Sequence, residues 1–305
     1  MKRFRIGTDG PEVSRIALGL MRIDRLGPRE ADDLVRDALD QGVDFFDHAD
    51  IYGGGRCEEI FGGVLSRDPS LRGRIAIQSK VGIRRGEFDF SKEHILEAVD
   101  GCLARLKTDR LDFLLLHRPD ALVEPEEVAE AFDVLERTGK ALRFGVSNQN
   151  PMQIELLQRT VKQRLCVNQL QLSLAYTPMI DAGLHVNMTD PASVVHDGSV
   201  LDYCRLKGIT IQPWSPFQHG FFGGAFLGDP KFPELNAVVD RMAAEKGVAP
   251  AAIAIAWILR HPARMQPVLG TTSPKHLREA CRAADVDLTR TEWYELYRAA
   301  GNKLP

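Results

Sequence analysis

The chain has 305 residues, 44% of them hydrophobic and 27% charged, which is ordinary globular composition and excludes a disordered, collagenous or coiled-coil chain. Lysine plus arginine number 39 and aspartate plus glutamate 42, a formal net charge of −3. Such a balance carries no electrostatic footprint for nucleic acid or for an anionic membrane surface.

The predicted elements begin with a hairpin, strands at 4–6 and 13–14 around the turn residues Thr8-Asp9-Gly10-Pro11. Short β-rich runs then alternate with longer amphipathic ones. The pairs are strand 15–20 with helix 30–41, strand 43–48 with helix 58–65, strand 74–80 with helix 92–106, and strand 111–117 with helix 125–138. They continue as strand 142–147 with helix 152–161, strand 165–172 with helix 200–207, strand 209–213 with helix 235–247, and strand 266–269 with helix 275–283. Runs such as Phe113-Leu114-Leu115-Leu116 are continuously apolar, as in strands buried on both faces. Alternating strand–helix units imply parallel strands. Eight of them predict an α/β fold of the closed (β/α)8 TIM-barrel type, with a doubly wound sheet as competitor. Extra material falls at 175–198, 218–233 and 289–305. The last opens on Thr289-Arg290-Thr291-Glu292, a capping box, and predicts an extra C-terminal helix on the outside. No linker-like stretch interrupts the pattern, so residues 1–305 read as one barrel domain.

Five cysteines, Cys57, Cys102, Cys166, Cys204 and Cys281, are odd in number and lack C-x-x-C spacing. That argues against a disulfide framework or a structural zinc site and for a reduced, cytoplasmic protein. Residues 16–21 are too short for the apolar core of a signal peptide. The longest apolar run, 248–259, falls short of the ~18 residues of a membrane span.

In a barrel of this type the active site lies at the C-terminal strand ends. The second strand ends in Asp47-His48-Ala49-Asp50-Ile51-Tyr52, the third in Ser79-Lys80, the fourth in His117-Arg118, the fifth in Ser147-Asn148 and the seventh in Trp214-Ser215. The sixth carries Asn168-Gln169, and the eighth runs into Gly270-Thr271-Thr272-Ser273. Taken singly, Lys80 reads as a solvated residue and His117 as a satisfied core histidine. Together, Asp47, Tyr52, Lys80 and His117 form a coherent acid set. A tyrosine is a poor acid at neutral pH, with a reference pKa near ~10. An ammonium beside it favours the phenolate, and a carboxylate keeps that ammonium charged and aimed. A histidine shares the proton work or holds the substrate oxygen. Such a set delivers a proton to a carbonyl oxygen as it becomes an alkoxide. The missing reactant is a hydride, which requires a cofactor.

No G-x-G-x-x-G opens a helix after the first strand and no Walker A sequence exists. A nicotinamide cofactor therefore has to lie across the barrel mouth. Ser147, Asn148 and Gln169 carry the donors and acceptors that a carboxamide needs. Trp214, followed by Ser215, offers a face for the nicotinamide ring. Thr271, Thr272 and Ser273 offer hydroxyls and backbone N–H groups to a phosphate just before the last helix.

The same residues carry a resemblance. Asp47-His48-Ala49-Asp50-Ile51-Tyr52-Gly53, Ser79-Lys80, Leu115-Leu116-His117-Arg118-Pro119-Asp120, Gly145-Val146-Ser147-Asn148, Asn168-Gln169 and Trp214-Ser215-Pro216 stand in the order found in the aldo-keto reductase superfamily. The sequence resembles its bacterial branch over nearly the whole chain. The resemblance implies an enzyme that reduces an aldehyde or ketone by hydride transfer from NAD(P)H, with Tyr52 as general acid. It places the family's tetrad on Asp47, Tyr52, Lys80 and His117, the carboxamide contacts on Ser147, Asn148 and Gln169, and the ring-stacking position on Trp214. The glycine-rich segment 218–228 matches the loop that covers the cofactor pyrophosphate. NADP(H) is the implied cofactor, with NAD(H) possible, because the lysine and arginine that hold the adenosine 2′-phosphate in many members fall here on Gly270 and His276. Thr271, Thr272, Ser273 and Lys275 remain as contacts. The implied partner is a small carbonyl substrate, and the default assembly is a monomer.

Two other readings stand beside this one. His48, Asp50, His117 and Asp120 resemble the ligand types of a metal-dependent barrel hydrolase, although Lys80 in the same mouth would compete with a divalent cation. The fold also admits a non-catalytic cofactor-binding regulatory subunit, against which the intact acid set argues. Pocket walls are expected from 23–26, 84–88, 175–195 and 218–226. Met21, Ile83, Phe88, Phe217 and Phe222 give that pocket an apolar side, and Arg22, Arg84, Arg85 and Arg118 are available to an acidic group.

Overall fold

The computed structural model describes residues 1–85, 87–184, 200–220 and 223–302. An antiparallel hairpin of β1 (Arg3–Arg5) and β2 (Glu12–Ser14) opens the chain. There follow β3 (Ala17–Gly19), α1 (Pro28–Asp40), β4 (Phe45–Asp47), α2 (Arg56–Arg67), β5 (Ala76–Val81), a small hairpin of β6 (Ile83–Arg84) and β7 (Glu87–Phe88), α3 (Lys92–Leu106), β8 (Phe113–Leu116) and α4 (Pro125–Arg137). The second half runs β9 (Phe144–Ser147), α5 (Pro151–Gln158), β10 (Leu165–Gln171), α6 (Pro178–Leu184), α7 (Val200–Lys207), β11 (Thr210–Trp214), α8 (Pro233–Lys246), α9 (Pro250–Arg260), β12 (Val268–Leu269), α10 (Pro274–Cys281) and α11 (Arg290–Ala299).

Among the described residues, β3, β4, β5, β8, β9, β10, β11 and β12 form a closed barrel of parallel strands in chain order, and β12 pairs back onto β3. The expected (β/α)8 TIM barrel, with its N-terminal hairpin and extra C-terminal helix, is therefore present. Two apolar layers hold it. Phe45, Phe113, Leu115 and Val167 fill the barrel interior together with Phe4, Ile6 and Val13 of the hairpin segment, which plugs the N-terminal end. A larger layer lies between the strands and the helix ring.

The seventh unit differs from expectation. The amphipathic helix read at 235–247 is α8, but it packs on α9 and α11 rather than continuing the ring. The ring position beside α10 belongs to α9, whose residues 252–259 are all buried. An apolar helix covered on every side has no polar face, so the run 248–259 carried no helical periodicity to read. Trp257 of α9 and Trp293 of α11 stack at 4.8 Å and 9°. Each indole N–H donates to the other residue's backbone oxygen, at 3.1 and 3.0 Å, which ties the outer helices to the ring.

Close approach of α2 and α3 fixes the neighbourhood of the second and third strands. Gly62 in α2 faces the end of α3, and a Cβ built there would lie 2.1 Å from the Arg105 backbone oxygen. Gly63, one residue on, would meet only the tip of Arg67 at 3.4 Å. We expect Gly62→Ala to destabilise the protein by about 1–3 kcal/mol, because backbone must move to make room. Gly63→Ala is expected to be neutral or stabilising by up to ~1 kcal/mol. Denaturant unfolding of the two variants checks the contrast.

Candidate active site

The parallel register brings the acid set together. Asp47 ends β4, level with Gly19 of β3 and Gln78 of β5. Lys80 lies two residues beyond Gln78 and is fully buried. Its Nζ donates to Asp47 Oδ1 and to the His48 backbone oxygen, both at 2.6 Å. Tyr52 starts a short helical turn, Tyr52–Gly55. There Gly53, Gly54 and Gly55 all take positive φ, a conformation that glycine adopts without strain and that turns the chain into α2. Lys80 Nζ sits 5.1 Å from the Tyr52 ring centroid, where its charge acts on the phenol. His117, just past β8, meets the Tyr52 ring edge-on at 5.8 Å.

The residues expected to hold a cofactor lie on the next strands. Ser147 ends β9, and its Oγ donates to the Gln169 backbone oxygen at 3.1 Å. Asn148 Nδ2 donates to Ser147 Oγ at 2.7 Å, and Trp214 Nε1 donates to Asn148 Oδ1 at 3.2 Å. Asn148 and Ser215 hold left-handed backbone, φ 58 and 50. Non-glycine residues in that region are strained and cluster at functional sites. Gln169 turns its Nε2 to Asp47 Oδ1, at 3.1 Å, so one residue borders both the amide group and the acid set. The Arg118 guanidinium stands 5.8 Å from the Trp214 ring.

The last strand–helix turn is built as expected of a capped helix. Ser273 N donates to Thr271 Oγ1 at 3.1 Å, and His276 N to Ser273 Oγ at 3.4 Å, with Thr272 between them. His276 is exposed in the first turn of α10. Arg22, from the loop after β3, donates to the Gly270 backbone oxygen at 3.1 Å. This contact was not legible in the motif around Gly270.

The ionisation states follow from burial and neighbours. Burial pulls the Lys80 ammonium down, but Asp47 and Tyr52 outweigh it and hold it above its usual value. Burial pushes the Tyr52 phenol up, opposed by Lys80 and, more weakly, by Arg118. Lys80 was expected to lower Tyr52; here desolvation wins, and the phenol keeps its proton at neutral pH. Burial, then Lys80 and Arg118, hold His117 well below its usual value, so it is neutral.

The metal-ligand reading fails on geometry. Among the described residues no three His, Cys, Asp or Glu side chains converge. His48 packs 4.7 Å from the Phe61 ring with neither nitrogen partnered, and burial followed by the Lys80 charge lowers it to about 3. Asp120 accepts from the backbone N–H groups of Phe90 and Leu122, at 3.0 and 2.8 Å. Of the expected pocket walls, Gly86, residues 185–195, Phe221 and Phe222 lie outside the described residues. Arg84 is ion-paired to Glu87 and Asp89. A cavity of about 630 Å³ lined by Arg5, Arg205 and Arg264 lies at the N-terminal end, away from these residues.

Behind Lys80 sits a second acidic group. Glu58 pairs with Arg105 at 2.8 Å and accepts from Ser79 Oγ at 2.6 Å. Asp50 has one oxygen without a partner. Burial, then the Glu58 charge, raises it to about 7. A carboxyl raised in the folded state binds its proton there more tightly than in the unfolded chain. Stability is then lost as pH rises from the unfolded value, near ~4, through 7. Asp50→Asn should melt at higher temperature than the parent at pH 8, and the gap should close below pH ~4. Thermal unfolding across that range tests it.

The aldo/keto reductase family model matches residues 15–300. The chain is 36% identical to a 6-dehydroglucose reductase of Agrobacterium fabrum, with 99% of each chain covered. It is 33% identical to the oxidoreductase YdhF of Escherichia coli, with 98% of each covered. Its fold is similar to that of the thermostable aldo-keto reductase Tm1743, solved with the inhibitor epalrestat, at a TM-score of 0.79 and 22% identity over 98% of this chain and all of that one.

Proposed function

Since this chain belongs to the aldo/keto reductase family and is an oxidoreductase that reduces carbonyl compounds with a nicotinamide cofactor, we propose that Tyr52 is its general acid and that Asp47, Lys80 and His117 complete the catalytic set. The observation that carries this assignment is the buried Lys80 ammonium, 2.6 Å from Asp47 Oδ1 and 5.1 Å from the Tyr52 ring centroid. The donor set at the mouth fits a nicotinamide cofactor. Ser147, Asn148 and Gln169 would supply hydroxyl and amide groups to its carboxamide, Trp214 and Ser215 would hold the ring, and Thr271, Thr272 and Ser273 would bind the phosphates.

The bound cofactor supplies the hydride that reaches the carbonyl carbon. Tyr52 gives its proton to the oxygen as negative charge develops there. Lys80, kept charged and in place by Asp47, stabilises the phenolate that remains. Neutral His117 donates a hydrogen bond to the substrate oxygen through its one N–H, without adding charge. Tyr52→Phe should leave cofactor binding nearly intact and lower turnover by at least ~10²-fold, the usual scale of general acid catalysis. Near-parental turnover overturns the assignment. Polyhydroxylated aldehydes come first in the substrate panel, because two relatives are named 6-dehydroglucose reductase.

NADP(H) is the preferred cofactor in this reading. Arg22 at the Gly270 turn, together with Thr271, Ser273, Lys275 and His276, gives the adenosine phosphate a local basic and hydroxylic surface. Fluorescence titration should give tighter binding of NADPH than of NADH. His276→Arg adds a charged donor and should widen that preference by about tenfold, the effect of one charge-assisted hydrogen bond. Every proposed site residue lies in one chain, which works as a single domain and as a monomer. Its five cysteines are free and buried, which suits a reducing cytoplasm.

A further inference from the structure

A line of buried amides runs through the barrel beneath the acid set. Gln78, Gln212 and Gln266 are fully buried and Gln169 is 3% exposed. Gln78 Nε2 lies 2.7 Å from both Asp47 Oδ1 and Gln212 Oε1. Gln169 Nε2 reaches the same two atoms at 3.1 and 3.2 Å. Gln212 Nε2 then donates to Gln266 Oε1, and Gln266 Nε2 to the Ser14 backbone oxygen, both at 2.8 Å. An ionised carboxylate only accepts, so the amide beside it must present its nitrogen. Gln78 does so while its own Oε1 stays buried without a partner. An orphaned acceptor in a dry interior costs stability, and an apolar side chain of similar size would not incur that cost. What the amide supplies in return is its two donated bonds, one of them to the Asp47 carboxylate.

We propose that Gln78 is a positioning residue for the proton transfer, acting through Asp47 on Lys80 and Tyr52, and that Gln212 anchors Gln78 and Gln169 together. The proposal rests on the reading of Tyr52 as general acid. Three donors share Asp47 Oδ1: Lys80, Gln78 and Gln169. The Gln78 amide spreads part of the carboxylate's charge and fixes its rotamer. Without it, Asp47 presents more negative charge to Lys80 and Tyr52 and aims the ammonium less well. Both effects favour the protonated phenol and make Tyr52 a weaker acid. The other charged or titratable groups facing this cluster are His48, Asp50, His117, Arg118 and the Glu58–Arg105 pair. None is changed by a substitution at Gln78. Gln212 links the same carboxylate to the amide expected to meet the cofactor, so disturbing it should affect binding and turnover together.

The test is steady-state carbonyl reduction across pH by the full chain, with NADPH affinity measured by fluorescence and stability by thermal unfolding. Gln78→Met should fold and bind NADPH within about twofold of the parent. Its kcat should fall by about tenfold or more, and its alkaline limb should move up by about half a pH unit or more, the scale of one lost hydrogen bond. Parental kcat and limb in the folded variant overturn the proposal. Gln212→Met should weaken NADPH binding and lower kcat together; unchanged binding overturns the shared anchor. If Gln78→Met does not fold, Gln78→Glu takes its place. Its carboxyl can donate to Asp47 only while protonated, so kcat should fall as pH rises through that group's pKa, and a parental profile overturns the proposal. Tyr52→Phe separates the two readings: retained turnover there defeats the acid assignment itself, whereas an inactive Tyr52→Phe beside a parental Gln78→Met defeats only the role of Gln78.

Discussion

The mouth of this barrel is organised around a charge pair placed where charge is expensive. Lys80 is fully buried and Asp47 is 2% exposed, and either ion alone would be neutralised by desolvation in such a place. The pair persists because its geometry is short and its remaining valences are used. Lys80 Nζ also reaches the His48 carbonyl, and Asp47 Oδ1 also takes the Gln78 and Gln169 amides. A buried ion pair of this kind is weak evidence for stability, since an apolar replacement of similar volume is often at least as stable. What it secures is a positive charge of fixed position beside Tyr52. A phenol otherwise pushed up by burial needs that charge in order to give up its proton.

The barrel supplies the fixed position. Parallel pairing sets Asp47 level with Gln78 and Gln169 level with Gln212, so four side chains from four strands converge without any loop having to order. Loops contribute where reach matters more than precision. Tyr52 swings in on a turn made possible by three left-handed glycines, and Asn148 and Ser215 take left-handed backbone just past β9 and β11. Strain at those two points is tolerated because each directly follows a strand of the rigid barrel.

Much of this was legible in the sequence. Each strand that mattered ended an apolar run with a polar residue, and the acid set, the amide group and the hydroxyl turn before α10 all lie where that pattern put them. Three features were not. The run 248–259 has no polar face, so periodicity could not show that α9, rather than α8, is the seventh ring helix. Gln78 and Gln212 follow Ile77 and Ile211 as polar residues inside buried strands; that signal was present, but only the closed barrel shows that they share partners. The direction of the Tyr52 shift depends on how much water its ring loses, which spacing along a chain does not report.

The adenosine end illustrates the same difference between motif and topology. Judged by its own segment, the last strand–helix turn has a glycine at position 270 and offers only the exposed Lys275 and His276 as basic side chains. Barrel closure changes that. Because β12 pairs with β3, Leu269 lies level with Leu18, and the loop that follows β3 brings Arg22 onto Gly270 from 248 residues away in sequence. A Cβ at Gly270 would lie 3.2 Å from that guanidinium, so the small residue and the distant arginine are two halves of one arrangement. A chain with a net charge near zero can still present a positive end to a phosphate when two segments that never adjoin in sequence are joined by the seam of the barrel.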